Sequence, residues 1–174
     1  PLILQMLAAD PASAIDAFIL PGHVSAVIGP EAYAGLSLPA VIAGFELVDI
    51  LHAVSALAEM RRCGRTGVVN HYTRVVRPGG NPVARELLQR IFQPVDDIWR
   101  GFGRVNGSSL GLKPDYAAWD AAPRYDIDPL DESAPAGCLC GEVLSGRARP
   151  RDCRLLGSRC TPERPVGPCM VSGE

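Results

Sequence analysis

Six cysteines hold most of the reactive chemistry in this chain, and five of them crowd its last 37 residues: Cys138, Cys140, Cys153, Cys160 and Cys169. Thiolates bind soft metals, thiols close disulfides, and buried thiols pack as small apolar groups. The surrounding run, GCLCGEVLSGRARPRDCRLLGSRCTPERPVGPCMVSGE, is rich in Gly, Pro and Arg and poor in apolar side chains. Such a segment buries too little surface to offset the entropy of ordering it, so an ordered form needs a covalent or metallic brace. The spacing is C-x-C-x12-C-x6-C-x8-C. It lacks the tight C-x2–4-C pairs of zinc ribbons, and Cys138 and Cys140 stand too close to serve easily as two corners of one tetrahedral ion. The three histidines, His23, His52 and His71, lie elsewhere in the chain. Thiolates drawn from separated loops suit a group wider than one ion, such as a [4Fe–4S] cluster. Structural zinc ranks second and disulfides third; the spacing alone leaves all of them open.

The elements that must position these thiols lie upstream. With 174 residues, 47% hydrophobic and 21% charged, the chain is long enough for one cored domain plus an appendage. The run Ala14 to Leu20 is apolar and stops at Pro21-Gly22, which reads as a buried strand followed by a helix from His23. PAVIA, Pro39 to Ala43, is a second strand ended by Gly44. Phe45 to Arg62 repeats apolar residues at helical period, and Gly67 to Val76 reads as a third strand. Strand, helix, strand, helix, strand at this spacing predicts parallel pairing with right-handed crossovers. Asn81 to Trp99 is expected to be a second amphipathic helix, ended or kinked at Pro94. The fold class is therefore α/β, a parallel-sheet (Rossmann-like) domain with a C-terminal cysteine-rich region. The expected divisions are residues 1–100 for the domain, 101–137 for a wrapping segment and 138–174 for the cysteine-rich region.

Other candidates are weaker. Ligands in open α/β sheets bind beyond the carboxyl ends of strands, where His23 and Glu46 fall. His23 is the candidate for a functional role there, against capping or packing; Glu46 and Asp49 read as carboxylates complementing a helix start. Asn70, Tyr72 and Arg74 alternate along the expected third strand and would point one way. Asp96-Asp97 before Trp99-Arg100-Gly101 suggests a partner-binding or solvated turn. Arg147, Arg149, Arg151, Arg154 and Arg159 interleave with the cysteines and would either offset thiolate charge or sit in solvent. No GxSxG, P-loop, HExxH or full GxGxxG occurs, and no nucleophile–base pair assembles. A net charge of −2 gives no case for nucleic acid or an anionic membrane. No apolar run reaches the roughly 20 residues of a membrane span, and the opening PLILQMLAAD has no signal-peptide pattern. The expectation is a reducing, cytoplasmic setting, where cysteine clusters more often hold metal than disulfides.

The runs DAFILPGHVSAVIG, PAVIAGFELVDIL, GVVNHYTRVVRPGGNPVA, VDDIWRGFGRV and, most specifically, DCRLLGSRCTPERPVGPCMVS resemble the HypD family of hydrogenase maturation proteins, in order along the whole chain. The resemblance implies α/β domains with a C-terminal region holding a [4Fe–4S] cluster. It places Cys153, Cys160 and Cys169 on three ligands and the fourth on Cys138, with Cys140 as the alternative. It implies a scaffold and electron-transfer role in assembling the Fe(CN)2CO unit of [NiFe]-hydrogenases, with a HypC-type chaperone carrying the iron and a HypE-type protein delivering cyanide-derived ligands. His23 would lie near the assembly cleft. In the PGHVSAVIG run Ser25 stands where the family suggests Cys or a small polar residue. The family's GPGCPVC-like stretch is absent from this sequence. The competing class is a zinc-stabilised structural or binding module without a redox role.

Overall fold

The computed structural model describes residues 1–99, 101–125 and 135–170. A three-stranded parallel sheet organises the first part of the chain, in the order β1 (Phe18–Pro21), β2 (Pro39–Ala43) and β3 (Gly67–Asn70). Phe18 pairs with Ala40 and Leu20 with Ile42, while Val41 pairs with Val69. The central strand β2 is buried at every residue, as a strand covered on both faces must be. One face packs Phe18, Leu20, Ile42, Tyr33, Leu36 and Val76, with flanking contributions from α1 (Leu2–Ala9) and α2 (Gly22–Ile28). The other packs Val41 and Ala43 against Ala53, Leu57 and Met60 of α3 (Leu47–Arg62). Each fully buried aliphatic side chain contributes about 1.5–3 kcal/mol.

The expected strand and helix order of this part is observed, and the parallel sheet with it. Two expectations fail. The third strand stops at Asn70 and does not run to Val76, because the Asn70 side chain turns the backbone. Its Oδ1 accepts the Tyr72 amide at 2.9 Å and its Nδ2 donates to the Val76 carbonyl at 3.1 Å. Asn70, Tyr72 and Arg74 are therefore not one row on a strand. The second amphipathic helix, α4 (Pro82–Ile91), ends well before Trp99. Pro94 cannot donate to a helix and biases the residue before it toward extended backbone. The chain instead forms β4 (Phe92–Trp99), which pairs antiparallel with β5 (Gly103–Leu112), with a register irregularity between Val95 and Asp97. Trp99 Nε1 donates to Ser108 Oγ at 2.8 Å across this hairpin, and Asp96 pairs with Arg104.

The chain divides into two units: residues 1–11 with 15–90, and residues 12–14 with 91–174. In the second unit short 3-10 and helical turns follow the hairpin, at Pro114–Trp119 and in α5 (Ala121–Arg124). The cysteine-rich run contributes α6 (Cys140–Leu144) and 3-10 turns at Pro150–Asp152 and Pro168–Met170. Its few buried side chains are Cys140, Ser145 and Cys160. No helix of the described residues is long and apolar enough to cross a membrane.

Candidate metal centre

The cysteine-rich run folds by local hydrogen bonds and not by an apolar core. Cys153 to Cys160 closes as a tight loop: the amides of Arg159 and Cys160 both donate to the Leu155 carbonyl, and that of Gly157 to the Cys160 carbonyl. Gly157 has φ 73°, a left-handed turn position where glycine is favoured. Thr161 and Arg164 exchange backbone bonds to make the next turn. Upstream, Ser145 at the end of α6 donates its hydroxyl to the Gly141 carbonyl at 2.6 Å. The hairpin turn fixes the other end of α6. Gly101 and Gly141 lie so close that a side chain on either would strike the backbone of the other.

These turns bring several sulfurs together. Gly167 lies against both members of the C-x-C pair: a methyl there would sit 2.8 Å from Cys138 Sγ and 3.3 Å from Cys140 Sγ. The Cys169 amide donates to Cys140 Sγ at 3.1 Å. Cys140 is 2% exposed, and burial pushes its thiol up to about 11, with the Cys169 and Cys138 thiols beside it adding to the shift. Cys153 shifts the opposite way. The backbone N–H of Leu139, the residue between Cys138 and Cys140, holds its thiol below the usual value, helped by the N–H groups of Leu155 and Leu156. Cys160 Sγ, nearly buried, accepts from the Val166 amide at 3.4 Å. Cys63 stands apart in the first unit, exposed, its thiol donating to Glu59 at 3.2 Å and pushed up by that carboxylate.

Among the described residues no group of three or more Cys, His, Asp or Glu side chains is arranged to hold a metal ion. The donor chemistry still fits an iron–sulfur group. The side chains that meet are thiols, and backbone N–H groups donate to the sulfurs of Cys140, Cys153 and Cys160; at Cys153 they favour the thiolate, while at Cys140 burial outweighs them. Sequence reasoning gave no sign of Gly167. A glycine between Val166 and Pro168 carries no visible mark of the two sulfurs it accommodates.

The other candidate residues lie at the carboxyl edge of the parallel sheet. His23 opens α2 and is exposed; its ring stands 4.5 Å from that of Phe45, tilted by 30°. Gly22 and Gly44 end β1 and β2 side by side, and the Tyr72 ring lies on both, so a side chain at either position would strike it. Arg74 stacks on Tyr72 at 4.5 Å and grips Asp49 through two bonds of 2.8 and 2.6 Å, with Glu46 at 3.5 Å. Glu46 occupies the position before α3 without a capping bond from its side chain. An apolar cavity of about 250 Å³ opens beside them, lined by Ile19, Leu20, Pro21, Ala43, Gly44, Phe45 and Ile50. Ser25 is fully buried, donating to the Pro21 carbonyl at 2.9 Å and lying 3.3 Å from the Tyr33 hydroxyl.

A parallel α/β unit followed in sequence by a turn-rich run bearing five cysteines defines a mixed α/β protein with a cysteine-rich C-terminal region. The sequence profile of the HypD family, described as the hydrogenase formation hypA family, matches residues 1–174, and the chain belongs to that family. It is 42% identical over 166 residues to the hydrogenase maturation factor HypD of Rhizobium leguminosarum bv. viciae, covering 92% of this chain and 43% of that protein. The HypD of Azotobacter vinelandii is 41% identical over 165 residues (92% and 44%), and that of Escherichia coli strain K12 is 38% identical over 176 residues (98% and 47%). The chain thus spans less than half the length of these relatives.

Proposed function

We propose that this chain is the cluster-bearing part of a [NiFe]-hydrogenase maturation factor, a scaffold and electron-transfer component for assembly of the Fe(CN)2CO unit. In this reading Cys153, Cys160, Cys169 and Cys138 hold a [4Fe–4S] cluster, with Cys140 the alternative to Cys138. The observation that carries it is the convergence of Cys138, Cys140 and Cys169 around Gly167, with amides and not carboxylates at the sulfurs. When bound, the cluster would supply one-electron transfer. The backbone amides of Leu139, Leu155 and Leu156 would hold Cys153 as thiolate, and Cys140, the first residue of α6, would pack against Gly167. A HypC-type chaperone carrying the iron and a HypE-type protein are the proposed partners, in the cytoplasm. His23 at the sheet edge is the proposed residue near the assembly cleft, and the tilted stack on Phe45 would fix its ring.

The test is anaerobic preparation of the full-length protein with iron, sulfide and zinc analysis, together with pull-down of the HypC-type chaperone. The expected result is a brown protein absorbing near 400 nm, with about four iron and four sulfide per chain. Single Ser substitutions at Cys153, Cys160 and Cys169 lose that colour, and of Cys138→Ser and Cys140→Ser only the former does. A colourless protein with stoichiometric zinc would replace this reading with the structural zinc module. A His23→Ala protein that matures hydrogenase normally would remove His23 from the site.

A further inference from the structure

The cysteine-rich run is also where the chain concentrates unbalanced positive charge. Residues 135–170 hold six arginines (Arg147, Arg149, Arg151, Arg154, Arg159 and Arg164) against three carboxylates, in a chain whose formal net charge is −2. Elsewhere Arg61, Arg62, Arg74 and Arg104 each meet a carboxylate within 3.3 Å. Within the run Arg147 reaches Glu142 at 3.5 Å, and the Asp152 carboxylate is taken by the Arg149 backbone amide at 2.8 Å. Arg151, Arg154, Arg159 and Arg164 are all exposed, and among the described residues none of their guanidinium groups makes an ion pair. They fall within 14 residues that fold as three successive tight turns: the Pro150–Asp152 3-10 turn, the Cys153–Cys160 loop and the Thr161–Arg164 turn.

We propose that this arginine-rich face is the docking surface for an acidic one-electron carrier protein. The inference rests on the thiolate-cluster reading above and names the partner of that site. In the complex the carrier is oxidised by one electron and the thiolate-held centre is reduced by one; no bond, proton or group is transferred. Exposed guanidinium groups interleaved in sequence with the cysteines would steer an acidic face toward this run, and such steering raises association rates by about 10–10³-fold at low salt. Two other polyanions fit less well. Nucleic acid presents about one charge per 1.7 Å along its axis, far beyond a patch of four arginines, and residues 135–170 contain no aromatic side chain on which a base could stack. A membrane surface calls for an amphipathic helix, and the one α-helix of this run, α6, has five residues.

The experiment uses the anaerobically prepared full-length protein and a plant-type ferredoxin as the acidic carrier. Association is followed by surface plasmon resonance at low and high salt, and electron transfer from photoreduced ferredoxin by stopped flow. Expected is an association rate that falls at least about 10-fold from low to high salt, and at least about 10-fold at low salt in the R151Q/R154Q/R159Q/R164Q variant. The matching fourfold Arg→Lys variant stays within about threefold of the parent, which separates charge from local folding. Ferredoxin association that is independent of salt, or unchanged in the Gln variant, overturns the proposal. So does binding of a duplex oligonucleotide or of phosphatidylserine vesicles that ferredoxin fails to displace. Iron and sulfide content measured on the same samples reports on the centre alone. A colourless protein that still binds ferredoxin through these arginines supports the docking surface and sinks the cluster reading, so the two failures are distinguishable.

Discussion

The parallel sheet and the cysteine-rich run solve the same problem, the entropy of an ordered chain, by opposite means. In the first unit β2 contributes five consecutive buried residues, and two apolar clusters close over its faces. In the run from 135 to 170 the buried side chains are two cysteines and a serine, and order comes from turns whose amides point at carbonyls and sulfurs. The first arrangement is self-sufficient in the sense that apolar burial needs no added group. The second buries little apolar surface, and on the reading proposed above a metal group bound by its cysteines would complete it.

The sharpest way to break this comparison is to remove the proposed metal. Chelation under anaerobic conditions, followed by hydrogen exchange, is expected to lower protection of the Cys153 to Cys169 amides by at least about 10³-fold, because metal-binding energy is folding energy in such a segment. The amides of Val41 and Ile42, on a strand bonded on both sides, stay protected. Equal loss in both regions, or none in either, would erase the distinction.

The reverse perturbation is Ile42→Ala. Ile42 is fully buried in β2 between paired strands. The expected cost is about 2–5 kcal/mol by urea unfolding. The iron and sulfide content of the folded fraction is expected to stay that of the parent.

How much of this was legible beforehand differs between the two regions for a physical reason. Pro39 to Ala43 was read residue for residue, because an apolar run that opens at a proline and stops at Gly44 leaves few alternatives. The helix read as Phe45 to Arg62 was found as Leu47–Arg62; Leu57 and Met60 of its apolar pattern are buried, while Val48, Leu51 and Val54 are exposed. The continuation of α4 to Trp99 was misread because Ile91 and Phe92 extend its apolar side, and only pairing with the strand that follows, 103–112, decides for a hairpin. The stretch Asn70 to Arg74 was misread because alternation looks the same in a strand and in a turn made by an Asn side chain. At the candidate centre the residue types drew attention to the cysteines. The meeting of Cys138, Cys140 and Cys169 at Gly167 depends on loop closures that spacing does not encode.

The smallest expected effect tests whether the sheet edge is held by charge or by packing. Arg74 grips Asp49 and lies on Tyr72, which in turn covers Gly22 and Gly44. The Arg74 guanidinium, by hydrogen bonding first and by its charge as well, holds the Asp49 carboxyl below the usual carboxylate range. A carboxyl depressed in the folded state contributes stability above its unfolded pKa and loses it as pH falls through the folded value. Arg74→Ala is therefore expected to lower the thermal midpoint at neutral pH by less than Ile42→Ala does. The difference from the parent should shrink as pH drops below the ordinary range of an aspartate, when Asp49 takes up its proton in both proteins. Arg74→Leu separates the two contributions: it removes the charge and retains an apolar stem to lie over the Tyr72 ring. If the pH-dependent part vanishes in both variants while Arg74→Leu alone keeps the Phe45 ring-current shift on the His23 resonances, charge stabilises this edge and packing positions His23. If both variants lose that shift, the Arg74–Asp49 grip is itself what sets the turn carrying His23.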